Sequence, residues 1–176
     1  MDDLRDRISD DRSSFESKLT RLIPGYAGYK ELKTRREADR LLREHLVQRL
    51  RAIEPQIRGL IIRLTNKGKL ELLGAVDSLE NRLETVYDTL RYDDYGYSGK
   101  TDAVKVELEV LDRLYEYDES LIDQLTALEQ EGQKLTTLDG SDPEATKEQL
   151  VDFDKVLREF AAAARDRTRL LSGVEI

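Results

Sequence analysis

The stretch "DDYGYSGKTDAVKV", residues 93–106, contains Gly99-Lys100-Thr101, the last three letters of a nucleotide-binding P-loop. Its reading decides between a nucleotide-binding α/β fold and an all-helical one. A P-loop spells GxxxxGK[ST], follows a buried strand, opens a helix and wraps phosphates in backbone N–H groups. Here the position of its first glycine is Asp94, whose carboxylate would face a polyphosphate with like charge. The segment before it, "LENRLETVYDTL", repeats its apolar residues at helical spacing and supplies no strand. The plainer reading is a turn: Gly99 permits a left-handed conformation, Thr101 caps the next helix and Asp102 complements its N-terminal dipole.

Outward from that turn the chain reads as α throughout. Ala, Glu, Lys, Leu and Arg make up nearly half of the 176 residues, and only three prolines interrupt them. Upstream, Leu72, Val76, Leu79, Leu83, Val86 and Leu90 advance by fours and threes, a heptad seam. Before it, Leu46, Leu50, Ile53, Ile57, Leu60 and Leu64 form another, with a at 50, 57 and 64 and d at 46, 53 and 60. Pro55 falls inside this seam without shifting its phase, at the outward f position. The spacing predicts one helix over about 30–65, bent at Pro55, and a turn at "TNKGK" (65–69).

Downstream, Val104, Leu111, Leu114, Leu121, Leu125, Leu128 and Leu135 predict a third helix over about 101–135. Asp142-Pro143-Glu144 then starts a fourth, with Asp as N-cap and Pro at the first helical position. That helix carries Leu150, Phe153, Leu157, Phe160, Ala164 and Leu171. An N-terminal segment places Leu4, Ile8, Phe15, Leu19 and Leu22 on one helical face, with Ser13 and Glu16 spaced as a capping box, and "IPGYAGY" ends it. The expected fold is an up-down-up-down bundle of four long helices with an additional N-terminal helix. Residues 1–23 form the N-terminal segment and 24–176 the bundle domain. Gly25-Tyr-Ala-Gly28 and Gly96-Tyr-Ser-Gly99, 71 residues apart, each open a helix–turn–helix unit, a hint of internal duplication.

Composition removes several function classes. A net charge of −8 opposes nonspecific binding to nucleic acid or to an anionic bilayer. There is no cysteine, hence no disulfide framework and no thiolate metal site. The acidic start "MDDLRDRISDD" lacks the basic and apolar regions of a signal peptide, and a cytoplasmic location is the expectation. The single histidine, His45, has Leu42 three residues before it, so the Glu-x-x-His pairs of a di-iron bundle are absent and no metal or cofactor is expected. With one histidine and no cysteine, nucleophilic arrangements have little to draw on, and the chain reads as non-enzymatic.

The candidate site lies at one end. Five of the eight tyrosines, Tyr26, Tyr29, Tyr92, Tyr95 and Tyr97, lie in or beside the two Gly-Tyr turns. Near that end the seams carry charge: Arg36 at a and Asp39 at d of the first helix, Glu107 of the third and Arg167 of the fourth. Asp118 also takes an a position, deeper in the third. An Arg/carboxylate layer beneath a tyrosine lid is a candidate binding surface, since aromatics and Arg anchor recognition. Its plainer counterpart is an end plug with a buried ion-pair layer that sets helix register.

The pairing of "GYAGYKELKTRREADRLLREHL" with "YGYSGKTDAVKVELEVLDRLYEYD" resembles an uncharacterised group of bacterial all-helical proteins with paired Gly-Tyr turns, over residues 24–120. The resemblance implies no activity, substrate, cofactor or catalytic residue. The expected role is therefore that of an interaction or scaffold protein, binding a protein partner or its own copy. A small-ligand binder or enzyme using the charged layer is the alternative, and membrane docking through the N-terminal helix a weaker one.

Overall fold

Gln56, after Pro55, donates its backbone N–H to the Ile53 carbonyl at 2.9 Å, three residues back rather than four, and this tightened turn divides the first predicted helix in two. The computed structural model describes residues 16–26, 32–92 and 108–171. They form α1 (residues 16–22), α2 (Leu32–Arg51), α3 (Glu54–Asn66), a short 3-10 turn (Leu70–Leu72), α4 (Leu73–Tyr92), α5 (Leu108–Leu135) and α6 (Pro143–Leu171). All regular structure among the described residues is helical, and no strand occurs there. The paired Gly-Tyr turns and the Gly99-Lys100-Thr101 tripeptide lie largely outside the described residues.

The split between α2 and α3 corrects the expectation of one bent helix. Proline carries no N–H and its ring collides with the carbonyl four residues earlier, here that of Arg51. The backbone answers with three-residue bonds from Ala52 to Arg49 (3.1 Å) and from Ile53 to Leu50 (2.9 Å). Ile53 keeps right-handed angles, φ −83° and ψ −29°, so the seam crosses the break in phase: Leu50, Ile53 and Ile57 are all buried. Periodicity alone therefore registers no interruption.

Each of the other turns has a local cause. Gly68, at φ 69°, ends α3, and the N–H of Lys69 closes back on the Leu64 carbonyl at 2.9 Å. Gly140, at φ 74°, turns the chain between α5 and α6. Asp142 caps α6 as the sequence predicts, its Oδ1 accepting from the Ala145 N–H at 3.1 Å. Pro143 follows as the first helical residue.

Paired residues give the helix directions. The Leu90 carbonyl accepts from Arg43, and Arg58 pairs with Glu80, so α4 runs antiparallel to α2–α3. Arg167 meets Asp118 and Gln149 meets Glu131, so α6 runs antiparallel to α5. Between these two hairpins the neighbours point the same way. Arg49 holds Glu129, and Arg63 donates to the carbonyls of Leu135 and Leu138, which sets α5 parallel to α2–α3. Arg82 lies against Asp154, and Glu71 acts on Lys147, which sets α6 parallel to α4. Each hairpin helix thus touches one antiparallel and one parallel neighbour, and α4 and α5, consecutive in the chain, lie diagonally.

The predicted seams form the core. Every seam residue from Leu72 to Leu90 is buried, as are Leu121, Leu125, Leu128 and Leu135 of α5, and Phe153, Leu157 and Phe160 of α6. The buried positions of the hairpins also correspond. Leu46, Leu50, Ile53 and Leu60 are matched 75 residues later by Leu121, Leu125, Leu128 and Leu135. Where Ile57 would find its counterpart stands Gly132, and there α5 closes on the start of α3: a Cβ on Gly132 would meet Gln56 Oε1 and fall 3.1 Å from Ile53 Cγ2.

α1 lies across α2 and α5. Its Lys18 pairs with Glu119 at 3.8 Å, and a Cβ on Gly25 would sit 3.7 Å from Leu41 Cδ1. Leu19, Ile23 and Tyr26 join the same core. Leu22, placed inward by the sequence, is instead 44% exposed, and Ile23 takes the inner position because the helix ends there.

Candidate functional site

Four charged side chains interrupt the apolar core at one level: Asp118 (0% exposed), Asp39 (2%), Arg167 (3%) and Arg43 (8%). Arg43 comes from α2, four residues after Asp39 on the same face, and donates through Nε to Asp39 Oδ2 at 2.9 Å. The other carboxylate oxygen of Asp39 accepts from Arg167 Nη1 at 2.5 Å. Arg167 Nε reaches Asp118 Oδ1, also at 2.5 Å. The result is an alternating row, Arg43–Asp39–Arg167–Asp118, with two charges of each sign. Arg43 Nη1 further donates to the Leu90 carbonyl at 3.2 Å. That carbonyl is in the last turn of α4, where it has no partner within the helix and where the dipole favours a cation. One row of side chains thus fastens all four helical columns.

Of the residues placed in the candidate surface by sequence, Asp39 and Arg167 are brought into direct contact. Asp118, singled out by its a position, belongs to the same row. Tyr26 is buried with Leu19 and Ile23 in the core instead of covering an open end. The side chains of Arg36 and Tyr92, together with Tyr29, Tyr95, Tyr97 and Glu107, lie outside the described residues. Arg43 was missed, although the heptad marks it: it falls seven residues before Leu50, at a. The same heptad that places Arg36 at a and Asp39 at d places Arg43 at the next a.

Chemically, the row has little to offer a substrate. Arginine remains charged throughout the physiological range and cannot act as a base. Both carboxylates are engaged by guanidinium groups, and neither histidine nor a nucleophilic hydroxyl is among the four. A charge-balanced, hydrogen-bonded row is what allows ions to persist inside a core, and its geometric demand fixes how the helices align.

A cavity does occur elsewhere. Between α4 and α6 runs an open groove of about 600 Å³. Its α4 wall carries Ser78, Arg82 and Thr85, and its α6 wall Arg158, Ala161 and Arg165. Arg82 Nε lies 2.7 Å from Asp154 Oδ1, yet its N–H is not aligned for a hydrogen bond, and Arg158 pairs with the same carboxylate. Arg165 makes no ion pair among the described residues. Ser78 and Thr85 donate their hydroxyls to carbonyls one turn back in α4. This groove has no signature in the sequence, because its residues are ordinary surface types and only the parallel packing of α4 on α6 assembles them.

Two isolated titratable groups complete the inventory. His45 on α2 is held below its ordinary value by burial first and then by the Arg49 guanidinium, against an opposing pull from Glu129. Its Nε2 is buried without a hydrogen-bond partner. Burial likewise raises the Tyr87 hydroxyl, with Glu54 adding to it. No group of three or more His, Cys, Asp or Glu able to hold a metal occurs among the described residues, and no helix there is long and apolar enough to cross a membrane. No family model matches the chain, nor does any curated protein or solved structure.

Proposed function

We propose that the chain is a non-enzymatic interaction or scaffold protein, an up-down-up-down four-helix bundle with an added N-terminal helix, that works through its exposed helix faces. The observation that carries this reading is the buried charged row. Asp39, Asp118, Arg43 and Arg167 pair with one another, Arg43 also with the Leu90 carbonyl, and the cavity between α4 and α6 does not include them. A catalytic or ligand-binding layer would leave at least one such group directed at open space. The charges instead serve alignment, leaving recognition to the surface.

The burial of Leu19, and of Ile23 just past the helix end, supports α1 as part of the bundle in place of a detachable membrane anchor. Thermal melting against nucleotides, divalent metals and small organic acids tests the reading. A flat response is expected throughout. A saturable rise in melting temperature that disappears in Arg167→Met would overturn it in favour of the ligand-binding alternative.

A further inference from the structure

Resting on the interaction reading, we propose that the α4–α6 groove is the docking surface for a helix of a partner protein, one presenting carboxylates a heptad apart along a face of small residues. The hairpins meet in two seams between like-directed helices, α2–α3 beside α5 and α4 beside α6, on opposite sides of the molecule. Residues 16–26 lie on the first: Lys18 of α1 pairs with Glu119 of α5, Gly25 approaches Leu41 of α2, and Leu19 and Ile23 are buried. The second is the open groove. The fold thus already uses a helix to cover one of its two parallel seams.

The chemistry of the open seam indicates what would cover it. Three arginines, Arg82, Arg158 and Arg165, border the groove, and Asp154 is the carboxylate that Arg82 and Arg158 share. Arg165 has no acidic partner among the described residues, so the groove carries excess positive charge in a chain of net −8. Arg158 and Arg165 are seven residues apart, roughly 10 Å along α6 at 1.5 Å per residue. Their bases are spread along the groove, in the register of residues i and i+7 on a docked helix. Ala161 between them and Ser78 and Thr85 opposite form a floor without bulk, which permits the short interaxial distance, about 8–10 Å, of packed helices. A nucleic acid would meet the repulsion of the whole chain, whereas a helix with two or three carboxylates meets chiefly the local arginines.

The test uses the full chain and two synthetic Ala-rich helices of about 20 residues, one with Glu at heptad spacing and a twin with Lys at the same positions. Methyl NMR follows Thr85, Val86, Ala161 and Ala164. The Glu peptide should shift these methyls saturably, leave those of the α2–α5 side unchanged, and lose about tenfold in affinity in Arg158→Gln/Arg165→Gln. Ala161→Leu, which fills the floor while keeping every charge, should also block it. The Lys twin should have no effect. Absence of saturable shifts, equal shifts from the Lys twin, or displacement of the peptide by inorganic pyrophosphate at comparable concentration would each overturn the proposal. So would a concentration-dependent dimer of the chain that Arg165→Gln dissolves, which would make the occupant a second copy. Failure here with a flat thermal screen removes the groove and leaves the interaction reading standing. A saturable small-molecule response lost in Arg167→Met removes that reading itself.

Discussion

Arg167 on α6 and Asp118 on α5 meet at 2.5 Å with side chains 4% and 0% exposed, the most deeply buried ion pair described in the protein. Breaking one side of such a pair costs more than its formation contributes, because the remaining ion is stranded in a low dielectric. Arg167→Met should remove a guanidinium from both Asp118 and Asp39 and lower stability by about 3–5 kcal/mol in urea unfolding. Converting Asp39 and Asp118 to Leu in the same chain, with Arg43 also changed to Met, should recover most of that loss. A single mutant as stable as the parent would show that the row is hydrated in solution.

His45 sets a pH dependence whose sign follows from its environment. Its folded value lies below the ordinary 6.5, so the unfolded chain binds the extra proton first. The resulting stability is present above the ordinary value and declines as pH falls through the interval beneath it. Urea midpoints measured from about pH 7 down to pH 5 should therefore drop, and His45→Gln should flatten that part of the curve. An unchanged slope in the variant would place the pH dependence elsewhere.

Gly132 marks the close approach of α5 to α3. A methyl there would overlap Gln56 Oε1 and stand 3.1 Å from Ile53 Cγ2. Gly132→Ala gains helix propensity yet should be destabilising by about 1–3 kcal/mol through overpacking. Pairing it with Gln56→Ala should relieve a good part of the cost, since Gln56 Oε1 is buried without a hydrogen-bond partner. A double-mutant cycle in chemical denaturation measures the coupling.

The two turn glycines separate backbone strain from crowding. Gly68 and Gly140 have nearly the same φ, 69° and 74°. A Cβ on Gly68 meets open space, whereas one on Gly140 would lie 2.7 Å from Leu64 Cδ2 and 2.8 Å from Lys69 Cγ. Gly68→Ala should cost about 1–2 kcal/mol for the left-handed conformation alone. Gly140→Ala should cost visibly more, with a lower melting temperature than Gly68→Ala under identical conditions. Equal effects would mean that Lys69 and Leu64 yield freely.

The helices and their inward faces were legible in the sequence because both follow from local spacing. Leu72 through Leu90 show this, each buried where the heptad places it. Neighbours are another matter. A seam says which residues turn inward but not which helix they meet, so the side-by-side parallel packing of α2–α3 with α5, and of α4 with α6, had no local signature. Half of the charged row was read in advance, through Asp39 and Arg167. Asp118 holds a seam position too, but its level against Asp39 and Arg167 depends on how the hairpins slide against each other, which heptad spacing does not give. At Pro55 the sequence predicts a bend but not a division into two helices, because the seam is indifferent to a turn that keeps right-handed angles.

The matching of Leu46–Leu60 to Leu121–Leu135 means that each hairpin meets in the other a near copy of its own directions and spacing. In thermodynamic terms the protein resembles a dimer whose subunits share one backbone. The link from residue 92 to residue 108 keeps the two hairpins at a high effective concentration and spares the translational cost of association. Severed there, the hairpins would have to find one another by diffusion, and assembly would come to depend on concentration.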